Sequence, residues 1–124
     1  MTKKILIADD EPNIVMSLEF LMEQSGYQVA VARDGEEALQ LMARFAPDLV
    51  LLDVMMPLRN GYEVCQSIRE NPAWDKVKVL MLSAKGRDLE ISQGLALGAD
   101  AYVTKPFSTK ALIAQVRELL KEEV

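Results

Sequence analysis

Residues 49–57 read Leu-Val-Leu-Leu-Asp-Val-Met-Met-Pro, a short apolar run that stops at an acidic residue. A continuously apolar run of this length is typical of a parallel strand that is covered on both faces. Four further apolar runs occupy residues 5–8, 29–32, 77–82 and 101–103. The sequence therefore predicts five strands, and the third of them ends immediately before Asp53.

Segments with a helical period separate these runs. Ile14, Val15, Leu18, Leu21 and Met22 recur at the spacing of one helical face, and residues 112–120 repeat that spacing near the C-terminus. Residues known to begin or end helices lie where this division needs them: Gly26, Asp34 with Glu37 as a capping box, Gly98 and Ser108. Five β-α units predict an α/β fold, a three-layer doubly wound sandwich on a five-stranded parallel sheet with right-handed crossovers.

Composition and charge restrict the classes of function. The 124 residues carry a formal net charge of −5 and no block of Lys or Arg, so we expect one domain that does not bind nucleic acid directly. The chain has no histidine, which excludes a Ser-His-Asp triad, a Cys-His pair and a His-ligated zinc. The remaining chemistry must use carboxylates, hydroxyls, lysine and the backbone.

The sequence also bears on localisation. No apolar run approaches the roughly 20 residues of a membrane span, and the N-terminus is a poor signal peptide. A single cysteine, Cys65, is compatible with a reducing compartment. We therefore expect a cytoplasmic protein that makes no membrane contact.

Polar residues follow the predicted strands at one edge of the sheet, where ligands bind in folds of this kind. They are Asp9, Asp10 and Glu11 after the first run, Asp53 after the third, Ser83 after the fourth, and Thr104, Lys105 and Pro106 after the fifth. Two carboxylates about 5 Å apart repel by roughly 3 kcal/mol at an effective dielectric near 20, so the cluster requires cations. Lys105 supplies one, and an all-oxygen ligand set suits Mg²⁺. With metal bound, Asp53 can attack phosphorus and form an acyl phosphate, while Ser83 donates a hydrogen bond to it.

These motifs resemble the receiver domain of two-component response regulators over essentially the whole chain. The matching stretches are residues 5–11, 51–57 with Asn60-Gly61, 82–85 and 98–107. The resemblance implies a single receiver domain over residues 1–124 with a flavodoxin-like fold and strand order 2-1-3-4-5. It also implies that Asp53 is phosphorylated by the phosphohistidine of a sensor histidine kinase or a phosphotransfer protein.

The resemblance further implies a set of metal ligands. Asp10, Asp53 and the backbone carbonyl of Met55 would bind Mg²⁺ directly, with Mn²⁺ as a substitute ion, and Asp9 would act through a metal-bound water. A cis peptide between Lys105 and Pro106 would aim the lysine. No organic cofactor is expected.

A switch is implied as well. On activation Ser83 would move towards the phosphoryl group and Tyr102 would turn inward, which changes the face formed by the fourth helix, fifth strand and fifth helix. That face would bind an effector protein or an output domain. The fourth helical segment, residues 87–97, lacks a continuous apolar stripe and should be easily repositioned. The protein would be a signalling module and not an enzyme. It would catalyse its own phosphorylation and a slow dephosphorylation, whose rate Met55 and Lys85 would influence.

Three features depart from the family pattern. Ser83 stands where many members have threonine, and Ala101 stands where many DNA-binding regulators have an acidic residue used in dimer contacts. We therefore expect a monomer or a weak activation-linked dimer. The chain ends at Val124, directly after the last helix, so no output domain is expected within it.

Three other functions stay open. A metal-dependent phosphohydrolase with an aspartate nucleophile would have a second aspartate where this chain has Met55. A flavin-binding electron carrier would need a phosphate cradle after the first strand, where Asp9 and Asp10 would repel the cofactor phosphate. A degenerate receiver would bind its partner without phosphorylation, and binding would survive Asp53→Asn.

Overall fold

The computed structural model describes residues 2–84 and 88–121. Within these ranges, five strands alternate with five helices. The strands are β1 (Lys4–Ala8), β2 (Gln28–Ala32), β3 (Leu49–Asp53), β4 (Lys78–Ala84) and β5 (Ala101–Lys105). The helices are α1 (Pro12–Gln24), α2 (Gly35–Phe45), α3 (Gly61–Glu70), α4 (Asp88–Ala96) and α5 (Thr109–Leu119), with a 3₁₀ turn at Pro72–Trp74.

The strands form one parallel sheet in the order β2-β1-β3-β4-β5. The predicted fold class and strand order are therefore confirmed. Every residue of β3, the central strand, is buried, whereas the edge strands β2 and β5 are only partly buried. Burial on both faces explains why the sequence of β3 is continuously apolar.

Helices cover both faces of the sheet. On one face, α1 and α5 bury Leu18, Met22, Leu112 and Val116 against the sheet. On the other face, α2 and α3 contribute Ala38, Met42, Val64, Cys65 and Ile68. Burying a large apolar side chain stabilises the fold by roughly 1.5–3 kcal/mol, so these two layers hold the sheet rigidly. The helix α4 lies on the second face, where a Cβ added to Gly94 would lie 3.4 Å from Met81 Cγ of β4.

The predicted cap of α2 is present, but one of its two hydrogen bonds has a different donor. The carboxylate of Asp34 caps α2 by accepting from the Glu37 N–H at 2.8 Å. The carboxylate of Glu37 accepts from the Arg33 N–H at 2.8 Å, so the reciprocal half of the predicted capping box goes to the residue before the cap. A complete capping box, which was not predicted, joins Asn60 and Glu63 at the start of α3.

The predicted helix boundaries at three other positions are confirmed. Gly26 follows α1 with φ +94°, and Gly98 follows α4 with φ +109°, a backbone conformation that favours glycine. Ser108 caps α5 by accepting from the Ala111 N–H at 3.3 Å. The strand β5 lies between the end of α4 and the start of α5 in the chain.

The strands β4 and β5 extend further than the apolar runs predicted. Pairing continues through Ser83 with Thr104 and through Ala84 with Lys105, because the backbone ladder does not depend on apolar side chains. Asp53, Ser83 and Lys105 therefore lie within strands and not after them as predicted. Their backbones are consequently held by the sheet. Lys85, which was predicted to influence phosphate lifetime, lies outside the described residues, as does Arg87 at the start of the predicted fourth helix.

Within the ranges that the structure describes, none of the helices combines the length and the apolar character needed to cross a membrane.

Candidate functional site

Three carboxylates meet at the carboxyl edge of the sheet. Asp53 is the last residue of β3, and Asp9 and Asp10 directly follow β1, its neighbour in the sheet. One carboxylate oxygen from each of the three lies within 4.8 Å of the others. The predicted convergence of these residues is therefore present, and at this separation two like charges repel by roughly 3 kcal/mol at an effective dielectric near 20.

Asp9 is fully buried and uses both carboxylate oxygens. Its Oδ1 accepts from the Glu11 N–H at 3.0 Å, and its Oδ2 accepts from Lys105 Nζ at 3.0 Å. The Asp9 N–H donates to the Ala32 carbonyl at 3.1 Å, which ties the residue to the end of β2. Asp9 is thus held in place by three hydrogen bonds, whereas Asp10 beside it is exposed to solvent.

Lys105 reaches into this cluster from the end of β5. In addition to Asp9, its Nζ lies 3.3 Å from Asp53 Oδ1 and 3.4 Å from Glu11 Oε1, and the side chain is 16% exposed. Burial by itself would lower the pKa of Lys105, but the hydrogen bond to Asp9 and the charge of Asp53 outweigh it and raise that pKa. The lysine is therefore a permanent cation here. The contact with Glu11 was not predicted, and its only sequence signal is its place after two aspartates.

The peptide bond between Lys105 and Pro106 is cis, as the family resemblance implied.

Asp53 is 6% exposed, and its pKa is raised from 3.8 to about 6. Burial is the largest cause of this rise in pKa, followed by the charge of Asp9. Lys105 and the Met55 N–H, which donates to Asp53 Oδ1 at 3.4 Å, act in the opposite direction. Asp53 is consequently ionised at neutral pH although burial and the charge of Asp9 disfavour its ionised form more than Lys105 favours it, and this imbalance favours the binding of a further cation.

The loop after β3 folds back tightly beside Asp53. The Gly61 N–H donates to the Val54 carbonyl at 2.8 Å, and a Cβ on Gly61 would lie 2.3 Å from the Asp53 carbonyl oxygen. Only glycine fits this approach, which is the structural reason for Asn60-Gly61 in the sequence. Met55 is 64% exposed at the rim of the site, whereas its neighbour Met56 is buried.

The two predicted switch residues occupy different environments. Ser83 is buried in β4, one position beyond Leu82, which pairs with Asp53. Tyr102 in β5 is 42% exposed. The sheet therefore places Ser83 on β4, next to the strand that carries Asp53, and it places Tyr102 on the edge strand β5.

The donor set fits a hard divalent cation. Asp9, Asp10 and Asp53 supply only oxygen atoms, and with Lys105 as the ammonium group among them they retain a formal excess of negative charge. Oxygen ligands of this kind suit Mg²⁺, which binds through one or two carboxylates and keeps several waters. Zinc would prefer nitrogen or sulfur ligands, and the chain has no histidine.

The doubly wound parallel sheet and the acidic site at its carboxyl edge together define a flavodoxin-like domain with a candidate site for a divalent cation. Residues 5–117 match the family described as Response regulator receiver domain. The chain belongs to this family, the phosphoryl-accepting module of two-component signalling, and the resemblance stated from the motifs is confirmed. Membership favours a signalling module over the phosphohydrolase and flavin alternatives.

Individual relatives agree with this assignment. The chain is 46% identical over 121 residues to the alkaline phosphatase synthesis transcriptional regulatory protein PhoP of Bacillus subtilis (strain 168), with 98% of this chain and 50% of that protein covered. The chain thus spans about half the length of this curated relative.

Solved structures are similar as well. The chemotaxis response regulator CheY4 of Vibrio cholerae has a TM-score of 0.90 and 28% identity, covering 96% of this chain and 99% of that one. The receiver domain of the Francisella response regulator 1452 has a TM-score of 0.88 and 35% identity, covering 97% and 98%.

Proposed function

We propose that the protein is a phosphorylation-activated switch in which Asp53 accepts a phosphoryl group from the phosphohistidine of a sensor histidine kinase or a phosphotransfer protein. The observation that carries the proposal is the convergence of carboxylate oxygens of Asp9, Asp10 and Asp53 within 4.8 Å of one another, with the ammonium group of Lys105 in contact with Asp9 and Asp53. Three carboxylates with one ammonium group keep an excess of negative charge, which destabilises the fold unless a further cation binds, so a purely structural role for the cluster is disfavoured.

In the proposed reaction, a carboxylate oxygen of Asp53 attacks phosphorus and a new O–P bond forms. The P–N bond to the donor imidazole breaks, and its electron pair stays on the nitrogen, which is protonated as it leaves. The product is an acyl phosphate on Asp53. Phosphoryl transfer depends mainly on positioning and charge neutralisation, and the strand ends hold the backbones of the reacting residues in fixed positions.

The residues around Asp53 have distinct tasks. Lys105 moves from its contact with Asp53 to a phosphoryl oxygen, to which it donates a hydrogen bond. Ser83 donates its hydroxyl to another phosphoryl oxygen from the adjacent strand. Asp9 is already held through both carboxylate oxygens, which favours a role through a metal-bound water over direct ligation.

Asp10, Asp53 and the backbone carbonyl of Met55 would hold Mg²⁺, or Mn²⁺ in its place. The bound ion would supply positive charge that neutralises the transferring group. Asp10 is the exposed member of the cluster and is therefore the carboxylate that meets an ion arriving from solvent. Met55, at the rim of the site, limits the access of water to the acyl phosphate. With Lys85, it tunes the lifetime of the acyl phosphate.

Phosphorylation is then relayed to a partner. Ser83 moves towards the phosphoryl group, and the ring of Tyr102, which is exposed in the structure, turns inward. The face of α4, β5 and α5 changes accordingly and binds an effector protein or an output domain. The half-length match to a transcriptional regulatory protein favours an output domain as the partner of this face. We propose a cytoplasmic location and a monomer or weak activation-linked dimer, with no organic cofactor.

The proposal is tested by incubating the purified protein with acetyl phosphate, with and without Mg²⁺, and measuring intact mass. One phosphoryl adduct is expected in the presence of Mg²⁺ only. It is absent from Asp53→Asn and retained in Asp75→Asn, a control at an exposed aspartate after the 3₁₀ turn. An adduct that forms equally in Asp53→Asn, or equally in the presence of a chelator, would overturn the proposal.

A further inference from the structure

Arg69, in the last turn of α3, joins three separate segments of the chain. Its Nε donates to the Gly98 carbonyl at 2.8 Å, its Nη1 donates to the Val77 carbonyl at 2.8 Å, and its Nη2 donates to Asp100 Oδ2 at 2.7 Å. The same Asp100 oxygen accepts from the Val79 N–H at 2.8 Å. One guanidinium group thus connects α3, the start of β4 and the turn that leads into β5.

The contact is built into the backbone of that turn. Gly98 has φ +109°, and a Cβ there would lie 2.6 Å from Arg69 Cγ, so the turn approaches the arginine stem more closely than any other residue would permit. The side chains of Arg69 and Asp100 are 22% and 29% exposed. A planar guanidinium can serve three acceptors at fixed angles, whereas a lysine ammonium at this position cannot.

The position of β5 depends strongly on this turn. The strand lies at the edge of the sheet and pairs only with β4, from Ala101 opposite Leu80 to Lys105 opposite Ala84. Asp100 immediately precedes the strand, and its N–H also donates to the Val79 carbonyl at 2.9 Å. A shift of one residue in register would turn Lys105 to the opposite face of the sheet. The anchor at the start of β5 therefore governs the side chain at its end.

We propose that Arg69 is a positioning residue: by holding Gly98 and Asp100 it fixes β5 against β4 and so directs Lys105 to Asp9 and Asp53. The kinetic consequence of this inference rests on the proposed function, because Lys105 acts there on the phosphoryl group. The placement of Lys105 itself does not depend on phosphorylation and is measured independently.

Placement is tested by NMR of the Lys105 ammonium group. Its protons give an observable signal when they are held in hydrogen bonds to Asp9 and Asp53, and the signal is assigned by its loss in Lys105→Met. Arg69→Met is expected to abolish or strongly broaden this signal. The matched control is Arg44→Met, which removes an exposed arginine from the last turn of α2 and should leave the signal unchanged.

The kinetic arm is a double-mutant cycle on the rate of acyl phosphate formation. Arg69→Met is expected to slow this rate by about ten- to a hundredfold, the loss that follows from displacing a reacting group by about 1 Å. In the Lys105→Met background, Arg69→Met should cause no further loss, because Arg69 acts through the lysine that has been removed. A purely structural role would slow the reaction by the same factor in both backgrounds.

Urea unfolding first shows whether each variant is folded. If Arg69→Met is unfolded, Arg69→Lys replaces it, since lysine keeps the positive charge but lacks the planar guanidinium group. An unchanged ammonium signal in the variant would overturn the inference, as would equal rate losses in the two backgrounds. If the wild-type protein forms no acyl phosphate, the proposed function fails, while the NMR arm still decides the placement of Lys105.

Discussion

Replacement of Asp53 by asparagine is expected to stabilise the protein at neutral pH in the absence of divalent cations. The folded state raises the pKa of Asp53 from 3.8 to about 6, first through burial and second through Asp9. At about 1.4 kcal/mol per pH unit, this difference means that ionised Asp53 costs the folded state about 3 kcal/mol. The figure already includes the opposing attraction of Lys105. Asparagine has nearly the same shape and cannot ionise, so the variant avoids the cost.

The sign of the pH dependence follows from the direction of the shift in pKa. A carboxyl group whose pKa is higher in the folded state stabilises the fold fully below pH 3.8, and this contribution is lost as the pH rises through about 6. The difference in unfolding free energy between Asp53→Asn and the wild type should therefore be close to zero near pH 4. It should reach its full value of about 3 kcal/mol above pH 7.

The assay is equilibrium urea unfolding in the presence of a chelator at several pH values. Typical slopes for small domains are about 1–3 kcal/mol per molar urea, so the midpoint should rise by about 1–3 M in the variant at pH 7.5. Asp75→Asn serves as the control, since exposed substitutions change stability by about 0.5 kcal/mol or less. Equal stability of Asp53→Asn and wild type at pH 7.5, or a gain of the same size at pH 4, would refute the reasoning.

Three further outcomes are expected. Mg²⁺ at ten times its dissociation constant should raise the wild-type unfolding free energy by about 1.4 kcal/mol, and Asp10→Asn should lose most of this gain in a urea titration. Gly61→Ala should destabilise the fold by about 2 kcal/mol or more, because its Cβ would lie 2.3 Å from the Asp53 carbonyl oxygen. The control is Gly94→Ala, whose Cβ would have its nearest neighbour at 3.4 Å, and its unfolding free energy should be within about 1 kcal/mol of the wild-type value. Replacing Met55 by serine should change the dephosphorylation rate measured by intact mass over time, and an unchanged rate would remove Met55 from the proposed role.

Local patterns in the sequence were sufficient for most of the architecture. The apolar runs located all five strands, and the glycines at 26 and 98 located the ends of two helices. The predicted ends of β4 and β5 lay too early in the chain, because the hydrogen-bonded ladder between these strands continues through Ser83 and Lys105, beyond the apolar runs. The reciprocal partner of Glu37 could not be predicted, because two neighbouring N–H groups compete for one carboxylate.

By itself, the sequence determined the fold class, the edge of the sheet at which the site lies and the chemical types gathered there, because each of these depends on short-range periodicity and on residues next to strand ends. Only the tertiary structure decided which of these groups touch. Lys105 contacts Asp9, a residue 96 positions away, and Arg69 holds Asp100 across 31 positions. The raised pKa of Asp53 likewise arises from burial and from neighbouring charges. Such contacts depend on distances in space that packing of the whole sheet sets, and no local pattern in the chain encodes them.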